Sequence, residues 1–168
     1  MRTSVVVLTM VVACSALLGM SAVSWGVTDQ ETITINATVS AKAKLTIGVA
    51  AINFADADPD TVPSILATEN PVSVTVKAQT AGASTVTLTV AADGDLDSGA
   101  DTIDITNVTW TATGAGFVGG TMNTSAQSAG SWTGSGQQIG TFSYALANSW
   151  DYNAGSYTQT VVYTLTAP

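Results

Sequence analysis

Five aspartates stand within the stretch "DGDLDSGADTID", and they are the residues best suited to binding chemistry. Asp93, Asp95, Asp97, Asp101 and Asp104 occupy positions 1, 3, 5, 9 and 12 of a calcium-loop template. Oxygen ligands at alternate positions suit a hard cation, so this spacing predicts a Ca²⁺ site. Ser98 stands where the template has Gly, and the flanking residues have strand patterns rather than helix patterns. The alternative is an acidic turn between two strands.

Three aromatic residues near predicted loops suggest a second kind of site. Trp132, Trp150 and Tyr152 have flat, amphipathic rings that could stack on a sugar. They define the alternative function, a secreted carbohydrate-binding or adhesin module that folds as a self-contained monomer. Trp110, Tyr144 and Tyr163 share the parity of apolar strand residues and are predicted in the core.

Catalysis has little support in the composition. The chain has no His, and its one Cys is Cys14, so the usual general base and thiol nucleophile are missing beyond the N-terminal leader. Phosphate-binding loops and His/Cys metal spacings are also absent from the sequence. The sequence predicts a protein that is not an enzyme and has no cofactor apart from the candidate Ca²⁺. A formal net charge of −8 argues against binding nucleic acid.

The N-terminus is typical of an export signal. Residues 1–26 contain Arg2, the apolar run "SVVVLTMVVACSALLGM", and small residues before Val27. The run is also long enough for a membrane anchor, and "VVAC" offers Cys14 as a lipidated residue. A cleaved signal predicts a secreted protein whose mature chain has no cysteine. Such a domain must be held by its core and its sheets.

Alternating apolar and polar residues predict strands in the rest of the chain. The architecture predicted is all-β, an immunoglobulin-like antiparallel β-sandwich. We expect a hairpin between the second and third strands, a break near Thr106–Asn107, and a weak hairpin around Phe117 and Trp132. The predicted strands are 43–50, 71–78, 84–92, 103–112, 139–147 and 157–166. The predicted core is Val74, Val76, Val86, Leu88, Val90, Trp110, Phe142, Tyr144, Tyr163 and Leu165.

The first alternating segment, "ITINATVSAKAKLTIGV", is unusually long. Its seventeen residues would extend about 56 Å as a strand, whereas strands usually have about 5–6 residues. We divide it into an extension, residues 27–42, and the first strand of a sandwich spanning residues 43–168. The extension places four apolar residues on one face: Ile33, Ile35, Ala37 and Val39.

The other end of the chain is predicted to have one strand too few. Asp151, Gly155 and Tyr157 fit a tyrosine corner, in which a Tyr hydroxyl bonds to upstream backbone before the sixth strand. That strand would carry Tyr157, Val161, Tyr163 and Leu165 on one face, and it would leave no residues for a seventh. Residues 31–40 could fill this gap in a neighbouring copy by strand addition. Alternatively the segment bends near Ala41–Lys44 and completes its own domain.

These features resemble a family of secreted bacterial pilin subunits. The leader, the alternating segment and the terminal "AGSYTQTVVYTLTAP" are similar to the spore coat protein U and archaic chaperone–usher fimbrial group. TasA-like and archaeal bundling-pilus fibre subunits are similar in outline. The resemblance implies a homopolymer formed by donor-strand exchange, a periplasmic chaperone, an outer-membrane usher, and a surface fibre reached through the periplasm. The chain departs from the first group because it has no mature cysteines, where a disulfide is common.

Overall fold

The structure is a computed structural model that describes residues 27–168. The predicted signal peptide, the anchor alternative and the Cys14 lipidation site lie outside these residues. The chain divides after Ala37 into two units, and each is described by itself. Residues 27–41 form no strand. In the described part of the chain, no helix is long and apolar enough to cross a membrane.

Residues 38–168 form an all-β domain, as predicted. The longer strands are β1 (Lys42–Ile47), β3 (Val72–Gln79), β4 (Thr85–Ala92), β7 (Val108–Thr113), β9 (Gln127–Thr133), β10 (Gly136–Ala147) and β11 (Val161–Thr166). The short strands are β2 (Ser64–Leu66), β5 (Leu96–Asp97), β6 (Thr102–Ile103) and β8 (Gly120–Thr121). A single 3-10 turn, Ile105–Asn107, is the helical element found in this domain.

Two antiparallel sheets pack face to face around one core. The first sheet has the order β1-β3-β10-β7-β8, with β2 also paired to β10. The second sheet has the order β11-β4-β9, and β5 pairs with β6 separately. All pairings are antiparallel. This arrangement confirms the predicted antiparallel β-sandwich.

The core follows the apolar parity of the strands. Alternation directs every second side chain inward, so the inner faces of β3 and β4 carry Val, Leu and Ala at each inward position. Eight of the ten predicted core residues are buried: Val74, Val76, Val86, Leu88, Val90, Trp110, Phe142 and Tyr144. Tyr163 and Leu165 pack against this cluster but are only half-buried.

The predicted hairpin between the second and third strands is wrong. β3 pairs with β1 and β10, whereas β4 pairs with β11 and β9, so the two strands lie in different sheets. They face each other across the core instead of sharing backbone hydrogen bonds. Alternation indicates which face of a strand is buried, but both arrangements bury one face of each strand.

Two further predictions concern local breaks. The predicted interruption near Thr106–Asn107 is confirmed, because the 3-10 turn Ile105–Asn107 separates β6 from β7. The weak hairpin expected around Phe117 and Trp132 is present as an antiparallel bridge between Phe117 and Gly130. Trp132 itself lies on a full seven-residue strand, β9, which completes the second sheet. The composition of β9 gives no clear alternating pattern. The Trp132 ring covers Gly130, a position at which other strands carry a larger side chain.

Candidate functional site at the open edge of the sandwich

One side of the sandwich ends in two strands that are each paired along one edge only. β11 pairs with β4, and β1 pairs with β3. Within residues 38–168, no strand pairs with the other edge of either one. The two strands belong to different sheets but approach each other. We call this side of the molecule the open edge. Unpaired N–H and C=O groups on such strands are a template for another strand.

The inward side chains at the open edge are incompletely covered. Val161, Tyr163 and Leu165 of β11 are half-buried, as are Leu45 and Ile47 of β1. The inward residues of the neighbouring strand β4 are at most 1% exposed at Val86, Leu88 and Val90. The same alternation therefore gives full burial one strand away from the edge and partial burial at the edge. We call the half-buried row between β1 and β11 the open groove.

The strand order shows which position beside β11 is vacant. In an immunoglobulin constant-type sandwich, one sheet has the order A-B-E-D, and the other contains C, F and G with G beside F. The order β1-β3-β10-β7 reproduces the first sheet, and β4 and β11 occupy the C and F positions. The G position is empty within residues 38–168. The structure thus agrees with the expectation of a sandwich that lacks one strand.

Aromatic contacts anchor β11 to the first sheet. The Tyr163 hydroxyl lies 2.7 Å from the Tyr144 hydroxyl, and its ring stacks on Phe142 with centroids 5.8 Å apart and an interplanar angle of 18°. Burial raises the pKa of both tyrosine hydroxyls. Both hydroxyls are uncharged at neutral pH, as in an ordinary tyrosine, and burial extends that state to higher pH. These contacts hold Tyr163 against the core, although the outer edge of β11 is unpaired.

The tyrosine corner is present, but the strand after it starts late. The Tyr157 hydroxyl donates to the Asn153 carbonyl at 2.8 Å, which confirms the predicted corner. β11 begins at Val161, because Thr158 instead exchanges backbone hydrogen bonds of 2.9 and 3.0 Å with Asp97. Of the four residues predicted on the edge strand, Val161, Tyr163 and Leu165 lie on β11, and Tyr157 precedes it.

The extension residues are exposed. Ile33, Ile35 and Val39 are 86%, 90% and 75% exposed, and Ala37 is also exposed. Single apolar residues on a surface are ordinary, but four in one alternating row are a feature of interaction segments. The apolar face of the extension is therefore exposed and is not packed against another strand.

The five aspartates of the predicted calcium loop do not converge. Among the described residues, no three acidic side chains are grouped closely enough to hold a metal ion. Most instead stabilise local backbone: Asp95 accepts from the Ile105 amide at 3.0 Å, Asp97 from the Gly99 amide, and Asp104 from the Thr106 amide at 2.8 Å. Asp101 accepts from the Asn153 side chain at 2.6 Å, and Asp93 is exposed. The geometry therefore favours the acidic turn over the calcium site.

The three aromatics proposed to stack on sugar do not form one platform. The Trp132 indole donates to the Ala115 carbonyl at 2.7 Å and packs edge-on against Phe117. Trp150 is 69% exposed and donates to Asp60 at 3.0 Å, while Tyr152 is half-buried nearby. Trp132 packs on Phe117, which contacts Phe142 within β10, whereas Trp150 follows the end of β10 and bonds to Asp60. Among the described residues, no aromatic contact joins Trp132 to Trp150.

Glu69, which no sequence motif marks, holds the segment that follows β1. The Asn53 amide and side chain both donate to Glu69, each at 2.7 Å. These bonds tie the segment after β1 to the segment before β3. The Asn53 side chain, followed by its backbone amide, lowers the pKa of Glu69 to about 2. No sequence motif marks this contact, because its two partners are 16 residues apart.

Comparison with known proteins adds no identification, since neither protein-family models nor curated proteins give a match to this chain.

Proposed function

We propose that this protein is a secreted structural subunit of a surface fibre, and that residues 31–40 of one copy insert beside β11 of the next. The open groove between β1 and β11 carries this proposal. A soluble sandwich whose apolar edge remains half-covered is prone to pair with other strands. Pairing of this edge with a strand from a second copy would cover it and join the two copies into a polymer.

The extension has the spacing that the groove requires. Ile33, Ile35, Ala37 and Val39 recur every second residue, about 6.6 Å apart in an extended chain. The inward residues of β11 have the same period. Strand addition would satisfy backbone groups along β11, while alternate side chains would set the register. Burying Ile33, Ile35 and Val39 would contribute roughly 5–9 kcal/mol before ordering costs.

A pair of single substitutions tests the inward face of the inserted strand. Ile35→Asp should block polymerisation of residues 27–168, because it would bury an unpaired carboxylate in the neighbour's core. Asn36→Asp adds the same group one residue away, on the outward parity, and should polymerise nearly as well as the natural sequence. Fibre formation is measured by light scattering and electron microscopy. Equal behaviour of the two variants would contradict strand insertion.

Deletion and complementation test donation between copies. A chain that lacks residues 27–40 should not polymerise, and a peptide of residues 31–40 should bind it and raise its melting temperature. If the full chain is a stable monomer whose residues 31–40 are protected from hydrogen exchange, self-completion is correct.

The cellular setting is part of the same proposal. The export signal would deliver the chain to the periplasm, and a chaperone could cover the open groove until an outer-membrane usher adds the subunit to a homopolymer. The alternative, a monomeric module that binds carbohydrate, retains Trp150 as its exposed aromatic residue. A glycan array with the monomeric protein separates these functions, since fibre assembly requires no sugar.

A further inference from the structure

The positive charges of the domain lie at one end of the sandwich. Lys42, Lys44 and Lys77 are the only basic residues in residues 27–168, and all three are exposed. Lys44 is paired in register with Lys77, and Lys42 with Gln79. They therefore lie together on the outer face where β1 begins and β3 ends. We call this the lysine end.

The negative charges of residues 38–168 lie at the other end. They are on segments that follow β4 or β10, precede β3, or are tied to those segments. Asn148, directly after β10, donates to the carbonyls of Ala57 and Val62 at 2.9 and 3.0 Å, which holds the 56–60 loop there. The ten acids are Asp56, Asp58, Asp60, Glu69, Asp93, Asp95, Asp97, Asp101, Asp104 and Asp151. We call this the acidic end.

The two ends are too far apart to neutralise each other within one copy. β10 spans the domain: Gly136 is paired beside the lysine end, and Ala147 leads into the acidic end. Its 12 residues extend roughly 40 Å, whereas the Debye length at physiological salt is about 8 Å. Each end is therefore available to charges on a neighbouring molecule.

The chain direction connects this polarity to the open groove. β11 runs from the acidic end, where Val161 pairs with Ala92, to the lysine end, where Thr166 pairs with Thr87. Residues 31–40 lead directly into Lys42. A strand inserted antiparallel to β11 would place the donor's lysine end on the acceptor's acidic end. It would also place the donor's Asp29 and Glu31 beside the acceptor's lysine end.

The opposite insertion brings like charges together. A strand parallel to β11 would set the donor's lysine end against the acceptor's lysine end, and Asp29 and Glu31 against the acidic end. Like charges at an interface disfavour association, whereas opposite charges favour it and increase its rate. Two separate sets of charges, one in the domain and one in the extension, thus favour the same direction.

We infer that copies of this chain stack head to tail, with the lysine end of each subunit on the acidic end of the next, and that this contact fixes the direction of strand insertion. The inference rests on the proposed function. Its partner is a second copy of the same chain, and the surfaces in contact are the two charged ends beyond the open groove.

Charge reversal at each end tests this contact. A lysine-reversed variant carries Lys42→Glu, Lys44→Glu and Lys77→Glu, and an acid-reversed variant carries Asp56→Lys, Asp93→Lys and Asp151→Lys. Each variant of residues 27–168 alone should polymerise roughly tenfold or more slowly at low salt. An equal mixture should polymerise faster than the lysine-reversed variant alone, because the unaltered lysine end of the acid-reversed variant then meets the unaltered acidic end of the lysine-reversed variant. At 1 M salt, where the Debye length is about 3 Å, the differences should shrink.

Two controls separate the end contact from the fold and from net charge. A peptide of residues 32–40 has no charged side chain and should bind extension-deleted forms of both variants as it binds the unmodified domain. Thr109→Lys with Thr111→Lys changes the net charge on the exposed side of β7 and should slow polymerisation much less than the acid-reversed variant.

The outcomes are distinguishable from failure of the proposed function. If the unmodified chain polymerises through residues 31–40 while both reversed variants match it, the head-to-tail contact is wrong and strand insertion stands. If the acid-reversed variant polymerises faster than the unmodified chain while the lysine-reversed variant matches it, insertion has the opposite direction. If the unmodified chain never polymerises, both proposals are wrong.

Discussion

β4 and β11 are adjacent strands of the same sheet with the same alternating pattern, yet they differ in burial. The inward residues of β4 are covered on both sides, by β11 and β9, and are at most 1% exposed at Leu88 and its inward neighbours. Those of β11 have a paired strand on one side only and are half-buried. A strand's pattern therefore determines which side chains turn inward, whereas its neighbours determine how much water they lose.

The largest predicted effect is a difference between these two strands. Leu88→Ala should destabilise the monomeric domain by about 2–5 kcal/mol, because it leaves a cavity in a fully packed core. Leu165→Ala should cost roughly half as much or less, since part of that side chain is already hydrated. Urea unfolding of the extension-deleted domain measures both. Adding the peptide of residues 31–40 should increase the cost of Leu165→Ala, and an unchanged cost would show that the groove stays uncovered.

A smaller effect is expected where the chain enters β11. Tyr157→Phe removes the hydrogen bond to the Asn153 carbonyl and should lower the free energy of unfolding by about 0.5–1.5 kcal/mol. Tyr152→Phe is the matched control on the same loop and should change stability less. If the two substitutions have equal effects, the tyrosine corner does not order the approach to the edge strand.

The contact between Asn53 and Glu69, which joins the segments after β1 and before β3, should respond to acid. The hydrogen bonds from Asn53 lower the folded-state pKa of Glu69 to about 2, below the ordinary value of 4.5 for a Glu. Its contribution is therefore present above about pH 4.5 and is lost as the pH falls toward 2. Glu69→Gln should reduce the loss of stability over this interval, and Glu31→Gln in the extension should not. Thermal melts of residues 27–168 across this range measure the effect, which solvent exposure keeps small.

The smallest expected effect is that of calcium. Because the five aspartates do not converge and three of them accept from separate backbone amides, millimolar Ca²⁺ should leave the melting temperature of the domain unchanged. A rise that Asp93→Ala with Asp95→Ala abolishes would restore the calcium interpretation, since a ligand stabilises the state that binds it.

Local pattern predicted the faces of the strands well, and long-range pairing poorly. The parity of Val74, Val76 and Trp110, and the break before Val108, follow from alternation alone. The separation of β3 from β4 into different sheets does not, because a hairpin and a crossing between sheets bury the same side chains. β9 was missed since a Gly beneath a Trp ring carries no periodic signal.

For the candidate site, too, local features were predictable from the sequence and long-range ones were not. Alternation and the tyrosine corner predicted the apolar row of β11 and the vacancy beside it. They did not predict that β1 forms the other wall of the open groove, which depends on sheet order. The calcium spacing failed because a template gives positions along the chain, while ligation requires carboxylates that converge in space.

The placement of the lysines also limits where a lysine-specific protease can cut. Lys77 lies in β3, which is paired on both sides, whereas Lys42 and Lys44 lie in an edge strand directly after the extension. Limited digestion with trypsin should therefore remove the extension and leave the rest of the sandwich intact, because cleavage requires a segment that can open locally. In the fibre that we propose, the same bonds would lie between successive subunits. Their protection from trypsin would report how tightly each subunit is seated on the next.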